Sequence, residues 1–205
     1  MAWQEYIPED ISELYEVHDF KHAAAILAKE FPSEFEELCK ALRVFRFSLE
    51  DIQSGGGNES NIPKIFSDIL KPLGWQDKNL EAELNVFEII NSKQKVLKGS
   101  IHHGTHKVDY LKGRVAFDLE WNSKDQTFDR DLYAFRAFFE YDAISLGILV
   151  TRSNDLNPIF KELGLMHKYG ASTTQMGKLL GRLNAGRNGG CPVLVFGITQ
   201  KLLIP

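Results

Sequence analysis

The chain has 205 residues and a formal net charge of −4, with 43% apolar, 11% aromatic and 25% charged residues. That length and composition suit one globular domain with a real hydrophobic core and exclude a collagen, a disordered tail and a disulfide scaffold. The average charge hides an asymmetry: residues 1–50 hold 11 acids and 5 bases, whereas residues 160–205 hold six bases and one acid. A chain of this kind can present a basic cleft while its back stays acidic. Two cysteines, Cys39 and Cys191, are too few to staple a secreted domain, so a reducing compartment is expected. The opening ten residues lack the basic start and apolar stretch of a signal peptide, and the longest apolar runs, 143–150 and 193–198, are too short to cross a bilayer. A cytoplasmic protein with no membrane partner is expected.

Residues 20–47 read as two helices separated at Pro32, with Ser33 as the expected cap and Leu38, Leu42 and Phe45 along one face of the second. Ser54-Gly55-Gly56-Gly57-Asn58 is the clearest flexible joint. Ile62, Ile65, Phe66, Ile69 and Leu70 form a helical stripe stopped by Pro72 and Gly74. Residues 83–90 are a candidate strand. Residues 108–111 and 115–121 are shorter strands joined through Lys112-Gly113, the pattern of a hairpin or meander. A helix follows, with Phe128, Leu132, Phe135, Phe138 and Phe139 on one face and Asp129 and Asp131 in its first turn, where the helix dipole favours acids. Residues 143–151 and 192–199 are continuous apolar runs, the mark of strands buried on both faces. Between them, 156–163 and 176–183 read as helices. This order predicts an α/β fold, a mixed β-sheet with helices on both faces.

The strongest chemical constellation is Asp109 with Asp118-Leu119-Glu120. Side chains alternate along a strand, so Asp118 and Glu120 share a face, and Asp109 on the paired strand can face them. Three carboxylates on one patch repel unless a cation neutralises them, and hard oxygen ligands of this kind suit Mg²⁺. Such an ion polarises a phosphodiester and lowers the pKa of bound water. Taken alone, Asp-x8-Asp-x-Glu also fits acids on a solvated sheet face. Next comes a dense polar loop, Trp121-Asn122-Ser123-Lys124-Asp125-Gln126-Thr127, rich in residues that read base edges or hold phosphates, though Asp125 or Thr127 also suits a plain helix cap.

The run from Val108 to Asn122 resembles the metal-site hairpin of PD-(D/E)xK restriction endonucleases, and more narrowly the BglII/BstYI group. The resemblance continues through residues 125–139, 144–151, Gly170-Ala171-Ser172-Thr173-Thr174 and 189–198, and spans about residues 52–200. It implies a restriction-endonuclease-like fold and a type II enzyme. Such an enzyme is a homodimer that hydrolyses both strands of double-stranded DNA with Mg²⁺, at a short palindromic site, leaving 5′-phosphate ends. A cognate DNA methyltransferase would act on the same site without having to bind this chain. Carried over by position, Asp109 and Asp118 are the acidic metal ligands, and the main-chain carbonyl of Leu119 completes the shell. Glu120 stands where the superfamily motif has Lys; members of this branch have Gln there, and a related enzyme has Glu. Glu120 cannot supply a positive charge but can serve as a base or a further ligand.

Glu59, after the Gly-rich joint, reads first as a helix-start acid stabilising its own dipole, with the upstream helical acid of related nucleases as the alternative. Asn122, Ser123 and Lys124 are expected at DNA, as are the loop residues Ser172, Thr173 and Thr174 and the basic pair Lys178 and Arg182. Arg187, Asn188 and Gly189-Gly190 read as an αβ connection, with an anion nest as the alternative. His102, His103 and His106 lack a fourth ligand at zinc spacing and are expected to line a turn before Asp109. The domain expectation is one unit, 1–205, with 1–50 a helical accessory part and 51–205 the catalytic core. Two other readings stay open: a repair or structure-specific nuclease on the same fold, and a sequence-specific DNA-binding module that has lost catalysis.

Overall fold

A computed structural model describes residues 3–54, 61–104 and 107–204. After a short helix α1 (Glu9–Ser12) comes strand β1 (Tyr15–Phe20), then helices α2 (Ala23–Glu30) and α3 (Pro32–Val44), the two-residue strand β2 (Phe47–Ser48), and helices α4 (Leu49–Gln53) and α5 (Asn61–Leu70). Strands β3 (Gln76–Lys78), β4 (Glu81–Ile90), β5 (Gln94–Gly104), β6 (Val108–Lys112) and β7 (Val115–Glu120) follow. The chain ends with α6 (Thr127–Glu140), β8 (Leu146–Arg152), α7 (Asn157–Glu162), α8 (Met176–Asn184), β9 (Val193–Ile198) and β10 (Leu203–Ile204).

Six strands form one sheet in the order β1-β9-β8-β7-β6-β3. β7, β8 and β9 run parallel to one another, and β1, β6 and β3 pair antiparallel at the flanks. The expected mixed sheet is therefore present. Every residue of β8 and β9 is buried, as central parallel strands covered on both faces require. Leu146, Ile148, Val150, Leu194 and Phe196 pack on one face with α2, α3, α5 and α7. Leu149, Val193 and Val195 pack on the other with Phe128, Leu132 and Phe135 of α6 and Leu179 and Leu183 of α8.

The N-terminal part is not helical throughout. Helices do cover 23–44, but Tyr15–Phe20 pairs antiparallel with β9 along six residues and is the sheet's edge strand. Ser33 is not a cap either: Phe31 holds that position and Pro32 opens the helix, where its missing N–H costs nothing. His102 and His103 lie in strand β5 rather than in a turn. His103 stacks on Tyr133 of α6 at 5.4 Å between ring centres. His106 and Glu59 lie outside the described residues, as does most of the Gly-rich joint.

Candidate active site

The site is built on the β6–β7 hairpin and roofed by α6. The Tyr110–Phe117 pairing sets the register, so Asp109 and Asp118 stand opposite each other one step further along. Strand alternation sends Phe117 and Leu119 into the α3/α5 face of the core and turns Asp118 and Glu120 toward α6. The Asp109 backbone N–H donates to Asp118 Oδ1 at 2.7 Å, and the Leu119 N–H donates to Asp109 Oδ2 at 3.1 Å. These reciprocal bonds lock both carboxylates onto one face of the hairpin. Glu120 is fixed from both ends. Its carbonyl accepts from Thr151 Oγ1 at 2.7 Å, and its Oε2 accepts from Thr127 Oγ1 at 3.1 Å.

A fourth acid joins them. Asp131 is one turn beyond Thr127 on α6, hence on the same helix face, and is only 2% exposed. Desolvation holds the carboxyls of Asp118, Glu120 and Asp131 above the usual carboxylate range, and mutual repulsion adds to it: Asp131 and Asp109 act on Asp118, Glu120 and Asp109 on Asp131, and Asp109 on Glu120. Sequence reasoning placed Asp131 with the dipole-stabilising acids and missed it. The available signal was its phase: it sits three residues after Phe128 and four before Phe135, inside the apolar stripe of α6.

Among the described residues, no three acidic, His or Cys side chains stand arranged to enclose an ion as they are. Asp118 Oδ1 and Asp109 Oδ2 are both turned to backbone N–H groups. Asp118 Oδ2, however, is buried without a hydrogen-bond partner. An orphaned carboxylate oxygen among further carboxylates, with every donor an oxygen, fits a hard divalent cation.

The two loops expected at DNA come together beside this cluster. Asp125 N–H donates to Ser172 O and Thr174 N–H to Ser123 O, both at 2.9 Å, and Lys124 bridges Thr173 in antiparallel fashion. The buried Arg152 guanidinium holds the 169–174 loop from below. It donates to the Thr174 carbonyl at 2.7 Å, to the Tyr169 carbonyl at 3.2 Å and to Thr173 Oγ1 at 2.5 Å. Burial lowers its pKa to about 10. Of the three loop hydroxyl residues, Ser172 is exposed, Thr173 is half-buried with its hydroxyl engaged, and Thr174 is fully buried. Lys178 lies 3.6 Å from Asp125, and Arg182 lies 3.6 Å from Asp125 and 3.0 Å from Asp129, so their charges are balanced from within. Asn122 and Ser123 are half-buried and Lys124 is exposed. The 187–190 segment is a structural connection: Asn188 is buried and donates to Cys191 O at 2.7 Å.

No curated protein matches this sequence. The sequence model of one family does, the restriction endonuclease BglII/BglIII family, over residues 15–198. That span begins at the edge strand β1 and ends with β9, so it takes in the whole sheet rather than only the part after residue 52. The fold agrees with it, as does the acidic hairpin under α6. With 184 of its residues inside that match, the chain belongs to the BglII/BglIII restriction endonuclease family and is a type II site-specific deoxyribonuclease.

Proposed function

We propose that the chain cleaves both strands of DNA at a short palindromic sequence as a homodimer, with Mg²⁺ held by Asp109 and Asp118. The observation that carries this reading is the reciprocal locking of these two carboxylates across the β6–β7 turn, with one oxygen of Asp118 left unpaired. The Leu119 carbonyl and Glu120 are the remaining oxygen donors at hand. Mg²⁺, when bound there, would polarise the phosphodiester and acidify an attacking water. Glu120 takes that water's proton; burial and the charge of Asp109 raise its carboxyl above the ordinary range, which makes it a stronger base than a solvent-exposed Glu. In-line attack then leaves a 5′-phosphate and a 3′-hydroxyl. Asn122, Ser123 and Ser172 lie on the laced loop pair and provide polar groups for base edges, with Lys124 and the partly balanced Lys178 and Arg182 toward phosphates. Thr173 and Thr174 shape that loop. Glu59 remains a proposed upstream acid outside the described residues.

The deciding experiment is digestion of unmodified genomic DNA with Mg²⁺, followed by sequencing of the fragment ends. Discrete ends sharing one palindrome, with 5′-phosphates, and their loss in Asp118→Ala, are the expected result. Structure-dependent nicks without a shared sequence would assign the fold to another nuclease activity. Tight binding to one sequence in Ca²⁺ with no cutting in Mg²⁺ would mean a binding module.

A further inference from the structure

Most of the positive side chains on α6, α8 and the segment after α8 have an anion of their own. Arg136 pairs with Glu140 at 2.9 Å, Arg187 with Asp129 at 2.6 Å, Arg182 with Asp129 at 3.0 Å, and Lys178 approaches Asp125 at 3.6 Å. Lys124 and Arg130 are different. Both are exposed, and neither forms an ion pair among the described residues. They line one open cleft of about 420 Å³, together with Gln126 and Thr127. Its floor is the Thr127 hydroxyl, which lies 2.6 Å from the Lys124 carbonyl and 3.1 Å from Glu120 Oε2. Two cations without a close ion pair thus line one cavity a hydrogen bond away from the acidic cluster, and Arg130 also offsets part of the charge of Glu120 and Asp131.

Like charges held together on one cavity call for an anion between them. Arg presents a planar fork of donors that matches phosphate oxygens, and Lys adds a mobile point charge. The backbone around them is fixed, because Lys124 is bridged to Thr173 and its carbonyl accepts from both the N–H and the hydroxyl of Thr127. We propose that this cleft grips one phosphodiester of the DNA backbone between Lys124 and Arg130, and so seats the bond to be cut over Asp109, Asp118 and Glu120. The inference rests on the nuclease reading above and adds Arg130 as a substrate contact. The cleft positions the strand without reading sequence.

The test is equilibrium binding of the full chain to a short random-sequence duplex in EDTA across a salt series, for wild type, Lys124→Gln, Arg130→Gln and the double variant. Each single variant should weaken binding, and the double variant should reduce the slope of log K against log salt by about 1, the contribution of the one phosphate the two side chains share. Because both side chains hold the same phosphate, the double variant should lose less affinity than the two single losses combined. Arg136→Gln, whose charge is already paired, should leave the slope unchanged. A slope unaltered in the double variant, an affinity unaltered in Arg130→Gln, or fully independent losses would overturn the shared phosphate site. Displacement of the duplex by inorganic phosphate at matched ionic strength would reassign the cleft to a free anion and also overturn it. If wild type itself shows no salt-dependent binding, the nuclease reading fails instead, and the two failures are distinguishable.

Discussion

Asp118 shows what the site costs the fold. Its carboxyl is 2% exposed and faces three other acids, so burial and then repulsion raise its pKa well above the ordinary value of 3.8. A carboxyl raised in the native state leaves stability intact below the ordinary range. That stability is lost as pH climbs from there through the raised native value. In EDTA the Asp118 contribution should therefore fall as pH rises above the ordinary carboxylate range, against the opposite trend of the lowered carboxyls of Asp10, Glu16, Asp51, Asp77 and Asp142. Asp118→Asn keeps an oxygen for the Asp109 N–H and removes the charge. It should raise the melting temperature in EDTA near neutral pH, by about 2–4 °C for each kcal/mol relieved in a domain of this size. That gain should shrink as pH falls, and the cation should then stabilise the variant less than wild type. A variant that melts lower than wild type at every pH would contradict the repulsion. Glu120 makes a separate prediction. If it takes the proton from water, Glu120→Gln should cut the single-turnover rate about 10²–10⁴-fold with little loss of DNA affinity. Retained cleavage would leave Glu120 only as a ligand.

At the scale of elements, α6 is the part that turns an acidic hairpin into an enclosed site. It brings Thr127 onto Glu120 and Asp131 over the cluster, and it lies close to the sheet because Gly147 of β8 leaves room for the Phe135 ring. A Cβ at Gly147 would lie 2.2–2.8 Å from three atoms of that ring, closer than real Cβ contacts allow. Gly147→Ala should therefore push α6 outward. The expected cost is about 1–3 kcal/mol in urea unfolding, as for other overpacked cores. The cleavage rate should fall further than stability alone explains, because Thr127 and Asp131 move with the helix. A variant with lower stability but unchanged rate would separate α6 from the chemistry.

The same elements show what could be read in advance. The β6–β7 hairpin, α6, β8 and β9 were legible because each carries one clear period or an unbroken apolar run bounded by Gly, Pro or polar residues. Strand β1, Tyr-Glu-Val-His-Asp-Phe, is polar at half its positions because it lies at an edge, and nothing local names β9 as its partner. Strand β5 was missed for a different reason. It and β4 form a hairpin apart from the main sheet, with Leu84, Val86, Ile89, Leu97 and Ile101 all exposed. Without one buried face there is no strict alternation to detect. In the site, Asp109, Asp118 and Glu120 followed from strand alternation. Asp131 and Arg130 required knowing which face of α6 meets the hairpin and which faces the cleft, a tertiary fact.

On the scale of the molecule, the charge asymmetry acquires a direction. Helices α2 and α3 pack on the sheet face opposite α6 and α8; α3 and α6 each hold three acids and two bases, and α8 carries Lys178 and Arg182 with no acid. On the nuclease reading, DNA meets the acidic cluster on the α6–α8 side, where Lys124, Arg130, Lys178 and Arg182 supply positive charge. One chain of 23.3 kDa offers one acidic cluster there, which can cut one strand in a fixed orientation. The proposed cutting of both strands of a palindrome would then call for two copies related by a twofold axis, each supplying one site. Subunit mixing tests this. Wild type and Asp118→Ala should exchange into mixed dimers that bind the target as well as wild type but nick a single strand. On supercoiled plasmid with the variant in excess, the mixture should yield open circles rather than linear DNA, and sedimentation should give twice the chain mass. Linear product in proportion to remaining wild type, with no rise in nicked circles, would mean that each chain cuts both strands unaided and that the twofold arrangement is not the working enzyme.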